Sequence, residues 1–269
     1  MNRLTATLIT LNEERNLPRA LASLAEVPDE IVVVDSGSTD RTCEIARQHG
    51  ARVFSRKLTN LGDQKNFAAA QAANDWILSL DADEELSPKL RASLRAWKQQ
   101  PAAKVAYAFP RKAHYLGGWI YHSGWYPDSK PRLYRRDRGR FVGKPHDSVQ
   151  ADGPVGRLEG ELYHHTFRTV EEHLAKVEFF TTLAAEDLFL CGRRRWLPAM
   201  LLAPPWAFVH KLIMQAGFLD GSRGWTIARL TARYTFLKYR KLGVLVRGGA
   251  LKPAVAPEKR PTTVDHSLR

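Results

Sequence analysis

Asp81-Ala82-Asp83 sets two carboxylates two residues apart, directly after the apolar run WILSL at residues 76–80. Two charges at the end of a buried strand are costly unless a cation stands near them. Mg2+ and Mn2+ favour hard oxygen ligands, usually one or two carboxylates completed by phosphate oxygens. A D-x-D at a strand end therefore suits a metal-bridged phosphate. A solvated acidic turn is the plainer reading, because Glu84 and Glu85 continue the charge. Asp35 ends another run, EIVVVD, and is followed by Ser36-Gly37-Ser38-Thr39-Asp40. Its carboxylate could accept hydrogen bonds from a base edge or a ribose, and Gly37 would let backbone approach a ligand closely. A strand-to-helix turn capped by Asp40 needs no ligand at all. Thr10, Asn12 and Glu13 add polar groups at the end of a first apolar run. Gly62-Asp63-Gln64-Lys65-Asn66 opens a helical pattern, where backbone N–H groups and Lys65 could meet a diphosphate.

Such groups need a scaffold that gathers strand ends. Apolar, β-branched runs at residues 4–10, 31–35, 51–55 and 76–80 read as strands. Between them lie helical patterns that begin near Asn16, at Thr39 or Asp40, and at Asp63. That alternation predicts an α/β fold with a parallel sheet and crossover helices. Ligands of such sheets bind outside the carboxyl ends of the strands, where Asp35 and Asp81 fall. After Pro101 the texture changes. A strand-like run at 104–110 leads to an aromatic, glycine-rich stretch, HYLGGWIYHSGWYPD, then to KPRLYRRD and GKPHDSV. Thr169 and Glu172 form a capping box for a helix reaching Phe189. Residues 193–213 are apolar but interrupted by Pro198, Pro204 and Pro205, which predicts a broken segment. Residues 222–242 read as a last amphipathic helix, and the tail from Gly248 as disordered.

With 44% hydrophobic and 26% charged residues, the 269-residue chain is no disordered protein. Two cysteines exclude a disulfide scaffold and suit a reducing cytosol, and no secretory segment is visible at the start. The net charge of +13 is unevenly spread. Residues 1–100 hold 13 Lys/Arg against 14 Asp/Glu, whereas residues 101–269 hold 28 against 14. Nucleic acid, an anionic membrane and a phosphate-bearing substrate would each suit that excess. No helix-turn-helix, RNP or zinc pattern is present, and nucleic acid would leave the acidic motifs unexplained, so it is set aside.

TLITLNEERNLPRALASL, EIVVVDSGSTDRT, DQKNFA and WILSLDADEEL follow one another in this order before Pro88. Together they resemble family 2 glycosyltransferases of the GT-A fold, a Rossmann-like, mostly parallel sheet with helices on both faces. The resemblance implies that Thr10, Asn12, Glu13 and Asp35, with Gly37 in the adjoining loop, hold a uridine. It implies that Gln64, Lys65 and Asn66 lie near the ribose and diphosphate. Asp81, followed by Ala82, would face the ribose, and Asp83, with Asp81 beside it, would bind Mg2+ or Mn2+. WYPDSKPRLYRRDRGRF, GKPHDSV and GFLDGSRGW are similar to segments of bacterial lipopolysaccharide core β-1,4-glucosyltransferases. That likeness implies a UDP-sugar donor, UDP-glucose, and a lipid-linked heptose acceptor.

Inversion at the sugar needs a base for the acceptor hydroxyl, on the face opposite the leaving group. The family usually carries an E-D pair some tens of residues after the D-x-D, and no obvious one stands there. His146-Asp147 in GKPHDSV stands instead, so Asp147 is the expected base and Asp128 in GWYPD the alternative. His146 could be a further metal ligand or a turn residue. Trp125 could stack on a sugar, and Arg132 and Arg135 could meet phosphate; a packed ring and a solvated basic face are the plainer readings. His164-His165 lacks a partner at metal-ligand spacing and reads as structural. The apolar stretch after Arg193-Arg194-Arg195 is too short to span a bilayer, but its arginines and tryptophans suit the interface. Ile227, Leu230, Tyr234 and Leu237 form one helical stripe with Arg229, Arg233 and Arg240 beside it. The expected organisation is a catalytic domain at 1–165, a basic helical, membrane-associating region at 166–247 and a tail at 248–269. The expected location is the cytoplasmic face of the inner membrane. A non-catalytic sugar- or lipid-binding module is the alternative of a different class.

Overall fold

The computed structural model describes residues 1–143 and 148–252. The continuous β-branched runs form four parallel strands: β1 (Leu4–Thr10), β2 (Glu30–Asp35), β3 (Arg52–Ser55) and β4 (Trp76–Asp81). They lie in the order β3-β2-β1-β4 and are linked by α1 (Leu17–Ser23), α2 (Thr42–Gln48) and α3 (Leu61–Ala70). Register aligns Thr10 with Asp35 and Ile9 with Asp81, so three strand ends share one rim. Residues 31–34 of β2 are apolar without a break because both faces are covered. Val33 packs with Leu17 and Leu21 on one face, while Val32 and Val34 pack with Ala68 of α3 on the other.

The sheet continues with strands of mixed sense. Next in the chain come β5 (Glu84–Leu86), α4 (Pro88–Lys98), β6 (Ala106–Tyr115), β7 (Gly118–Trp119) and β8 (Asp128–Arg135). β9 (Gly139–Val142), β10 (Ser148–Ala151), β11 (Val155–Arg157) and β12 (Leu162–Phe167) follow. β8 runs antiparallel to β4 and to β6, and β12 runs antiparallel to β5. The strand order β3-β2-β1-β4-β8-β6-β12-β5 is the mixed α/β arrangement that the GT-A resemblance implies. The plainer alternative for DADEEL, a solvated acidic turn, does not describe its second half, which is β5 with Glu84 buried.

The chain divides into two compact units. One holds Met1–His114 and Trp125–Thr166, the other Tyr115–Gly124 and the chain from Phe167 onward. Residues 115–124, expected within the first domain, thus belong with the second unit. There Asp220 accepts the backbone N–H groups of Tyr121 (3.0 Å) and His122 (3.1 Å) and the Ser123 hydroxyl (3.1 Å). Its helices are α5 (Val170–Leu190), α6 (Leu197–Val209) and α7 (Gly221–Val246). Thr169 caps α5 by accepting the Glu172 N–H at 3.2 Å, as the capping box predicts. Lys241 of α7 is buried and donates to the Glu178 carbonyl and to the Thr181 and Thr182 hydroxyls at 2.8–3.0 Å, tying α7 to α5. A Cβ on Gly224 would lie 1.7 Å from the Gly217 carbonyl oxygen, so only glycine fits that crossing.

The prolines do not break the segment after Arg195. Pro198 sits in the first turn of α6, where a missing N–H costs nothing, and Pro204 and Pro205 are inside the helix. The helix passes into a π turn at His210–Met214, and packing along α7 holds it where local propensity would not. The expected tail falls largely on residues 253–269, outside the described residues.

Candidate active site

The rim is built from two loops that share hydrogen bonds. Asp35 is 3% exposed and accepts from the Thr10 hydroxyl (2.9 Å), the Gly37 N–H (2.9 Å), the Ser38 N–H (2.8 Å) and the Ser38 hydroxyl. These four bonds match the acceptor capacity of a carboxylate. Burial would raise its pKa, but the Ser38, Thr10 and Gly37 donors outweigh that and hold it below the ordinary value. Gly37 has φ +98°, with open space where a side chain would begin, so backbone conformation selects glycine here. Asn12 bridges the loops, donating its N–H to Ser38 Oγ (2.8 Å) and accepting from the Thr39 N–H (2.9 Å). The Glu13 N–H donates to Thr42 Oγ1 at 2.8 Å, and Glu13 Oε2 accepts from Asn16 at 2.9 Å.

α3 starts behind this rim. Asn60 caps it by accepting the Asp63 N–H at 2.8 Å. Gln64 is fully buried and donates to Ser36 Oγ (3.1 Å) and to the Arg56 carbonyl (2.9 Å), while its Oε1 has no partner. Asn66 is used differently from the expectation of a ribose neighbour. Its amide accepts the Phe141 N–H (2.8 Å) and donates to the Phe141 carbonyl (2.9 Å), pinning β9 to α3.

Beside Asp81 runs a line of alternating charge. Lys65 Nζ lies 2.9 Å from Asp81 Oδ1, and Arg132 Nη2 lies 3.2 Å from Asp81 Oδ2. Arg132 also meets Glu84 Oε1 at 3.0 Å, Arg111 meets the same oxygen at 3.5 Å, and Arg111 meets Asp128 Oδ2 at 2.6 Å. Glu84 Oε2 accepts the Asp81 N–H at 3.0 Å, which fixes the loop that carries the D-x-D. Burial would raise the Asp81 carboxyl, yet Lys65 first and then Arg132 hold it well below the usual carboxylate range. Asp128 is likewise pushed up by burial and brought down further by Arg111 and Lys130. Ala82 is buried between the two acids. At Asp83, the second acid of the D-x-D, His164 Nε2 lies 3.6 Å from Oδ1. The β5–β12 pairing, which sets His164 opposite Glu84, brings the imidazole there.

The family model described as glycosyl transferase family 2 matches residues 5–152, the stretch that builds this rim. A glycosyltransferase of Rickettsia felis is 30% identical over 266 residues, covering 90% of each chain. The chain belongs to glycosyl transferase family 2. The lipopolysaccharide core biosynthesis glycosyltransferase LpsC of Rhizobium meliloti is 29% identical over 252 residues, spanning 89% of this chain and 91% of its own. Among solved structures, S. aureus TarS 1-349 in complex with UDP-GlcNAc is 17% identical with a TM-score of 0.47, covering 96% of this chain and 98% of that one.

In this family 2 transferase, the expected site residues do not all converge. Thr10, Asn12, Asp35, Gln64, Lys65, Asp81 and Asp83 lie on or just behind one rim. Arg132 and Arg135, paired in the sequence expectation, part company: β8 sets Arg135 opposite Trp76, at the far end of β4 from Asp81. Arg135 there pairs with Asp137 at 2.9 Å. Trp125 is half-buried three residues ahead of β8. His146 and Asp147 lie outside the described residues. The sequence reading missed Glu84, Arg111 and His164, whose partners are distant in the chain. His164 read as structural and Glu84 as one acid of a turn, and nothing in the sequence pointed to their partners.

Residues able to hold a divalent metal are Asp83 and His164, a carboxylate and an imidazole side by side. Asp81 is already matched by two cations. Two protein ligands leave coordination positions for phosphate oxygens and water, as a Mg2+ or Mn2+ site on a nucleotide requires. Among the described residues no group of three or more His, Cys, Asp or Glu side chains gathers as a metal cage.

Proposed function

We propose that this protein is an inverting, metal-dependent transferase that moves a hexose, glucose by preference, from a UDP-sugar to a lipid-linked lipopolysaccharide inner-core acceptor. The observation that carries the donor side is the rim itself: Asp35, Asp81 and Asp83 at adjoining strand ends, with His164 beside Asp83. The similarity to LpsC supports the acceptor class, and such an acceptor puts the reaction at the cytoplasmic face of an anionic inner membrane.

The charge balance argues for the metal. Lys65, Arg132, Arg111 and Lys130 stand against Asp81, Glu84 and Asp128, so this line carries a single surplus positive charge against the several negative charges of a diphosphate. Asp83 and His164 are proposed to hold the Mg2+ or Mn2+, and the bound ion supplies charge neutralisation on the leaving diphosphate. The loop that Asp35 holds in shape orients the uracil and ribose, and the α3 start with Gln64 and Lys65 faces the phosphates. Asp147 is proposed as the base for the acceptor hydroxyl. The two cations on Asp128 weaken its affinity for a proton, which makes the alternative less suited to that task.

Calorimetry with UDP tests the donor site. Wild-type protein is expected to bind UDP only with Mg2+ or Mn2+, and Asp83→Asn to lose the metal-dependent part. UDP binding of equal strength without metal overturns the metal role. Asp147→Asn is expected to keep UDP binding and lose transfer in a screen of UDP-hexoses against lipid-linked core acceptors; unchanged turnover removes Asp147 from the mechanism.

A further inference from the structure

The second unit carries an apolar surface that no packing within the described residues covers. Of the nineteen exposed large hydrophobic side chains among the described residues, ten fall between Leu197 and Trp225. Leu201, Leu202, Trp206, Ile213 and Met214 are 58–72% exposed, and Phe218 in the following turn is 58% exposed. α6 buries none of its residues fully, although one side of it packs along α7. Soluble surfaces rarely keep so many large apolar groups contiguous in water.

The charges around this ridge are of one sign. Arg193, Arg194 and Arg195 precede α6 and are exposed, Lys211 follows it, and residues 193–219 contain no acid. Asp220, the next acidic residue, is buried under Tyr121, His122 and Ser123. Apolar length alone would allow Leu197–Met214 to cross a bilayer. Pro204 and Pro205 argue against crossing. They supply no N–H, so the carbonyls of Met200 and Leu201 lose the donors a regular helix gives. A spanning helix tolerates prolines only where neighbouring groups take up the freed carbonyls, whereas water does so directly at the headgroup level. Packing along α7 likewise leaves only one side of α6 for lipid.

We propose that α6, its π turn and the turn at Gly217–Asp220 lie in the plane of an anionic lipid leaflet, apolar side down, with the arginines at phosphate level. Trp206 suits this depth, since its ring is apolar and its N–H can reach water. The proposal rests on the reading of a lipid-linked acceptor for its purpose, but its residues and its test are separate from the donor rim.

Flotation of the full-length protein with vesicles tests it. Binding is expected to phosphatidylglycerol/phosphatidylethanolamine vesicles and not to pure phosphatidylcholine, with release by alkaline carbonate. The triple variant Leu201→Ser, Leu202→Ser, Trp206→Ser should partition at least about a hundredfold more weakly, since three large side chains lose their burial in lipid. All three are exposed, so circular dichroism and UDP binding should stay unchanged. Absence of flotation on anionic vesicles, equal flotation of the variant, or retention after carbonate each overturns the in-plane docking. So does concentration-dependent self-association that the same variant abolishes without any lipid binding. UDP calorimetry on the same preparation reports on the donor site alone, so failure of one reading is distinguishable from failure of the other.

Discussion

Replacing Glu84 by Gln removes one charge from the centre of the buried line without changing volume. The side chain is fully buried, its Oε1 faces Arg132 at 3.0 Å and Arg111 at 3.5 Å, and its Oε2 accepts the Asp81 N–H at 3.0 Å. Glutamine keeps one carbonyl oxygen. If that oxygen serves Arg132, the amide NH2 confronts the Asp81 N–H; if it serves Asp81, the NH2 confronts a guanidinium. Breaking a buried ion pair by removing one partner costs about 3–5 kcal/mol. The retained oxygen returns one hydrogen bond, about 1 kcal/mol. The expected net loss is therefore about 2–4 kcal/mol. For a chain of this length that is a fall in Tm of roughly 5–15 °C. Glu85→Gln is the control, because Glu85 and Arg19 are a partly exposed pair at 3.0 Å and should matter by about 1 kcal/mol or less. Thermal and urea unfolding of the two variants measures both. A Glu84→Gln Tm within about 2 °C of wild type, matching the control, would refute the argument that this carboxylate holds Arg132, Arg111 and the D-x-D loop together.

Two further predictions concern the same rim. Asp35 and Asp81 have folded pKa values below their unfolded ones, so their contribution is full above the unfolded value and is lost as pH falls through the folded one. Urea unfolding from pH 7 downward should show stability declining below about pH 4, and Asp81→Asn should flatten that decline; an unaltered acid limb in the variant contradicts the assignment. Asn66→Ala removes both bonds to the Phe141 backbone and should cost about 1–3 kcal/mol, with faster amide exchange at Gly139–Val142; unchanged exchange there would mean β9 is held by other means.

The parallel half of the fold was legible because its signals are local. The four β-branched residues 31–34 and the mostly apolar WILSL form continuous runs, the pattern of a strand covered on both faces. Asp35 and Asp81 close those runs, so their place on the rim followed from strand direction. Thr169 and Glu172 marked a helix start for the same reason: a cap is a contact between near neighbours. Glu84 looked like one more surface acid, because nothing within a few residues neutralises it. Its partners, Arg132 and Arg111, arrive on β8 and β6, and His164 reaches Asp83 on β12. The arginines of KPRLYRRD read as one basic face, yet Arg132 is buried against Asp81 and Glu84 while Arg135 lies opposite Trp76 and pairs with Asp137. The prolines of α6 misled in the other direction, since helix propensity is a weak term that packing along α7 overrides.

By itself the sequence determined which acids end which strands, that the positive charge belongs to the second part of the chain, and that the motifs are those of a family 2 transferase. These depend on residue type, period and order, which a linear chain carries in full. Tertiary structure decided which charges neutralise one another, which histidine stands beside Asp83, and which apolar residues are left in water. Those are contacts between segments far apart in the chain, and side-chain direction and strand register, both products of the folded sheet, select them.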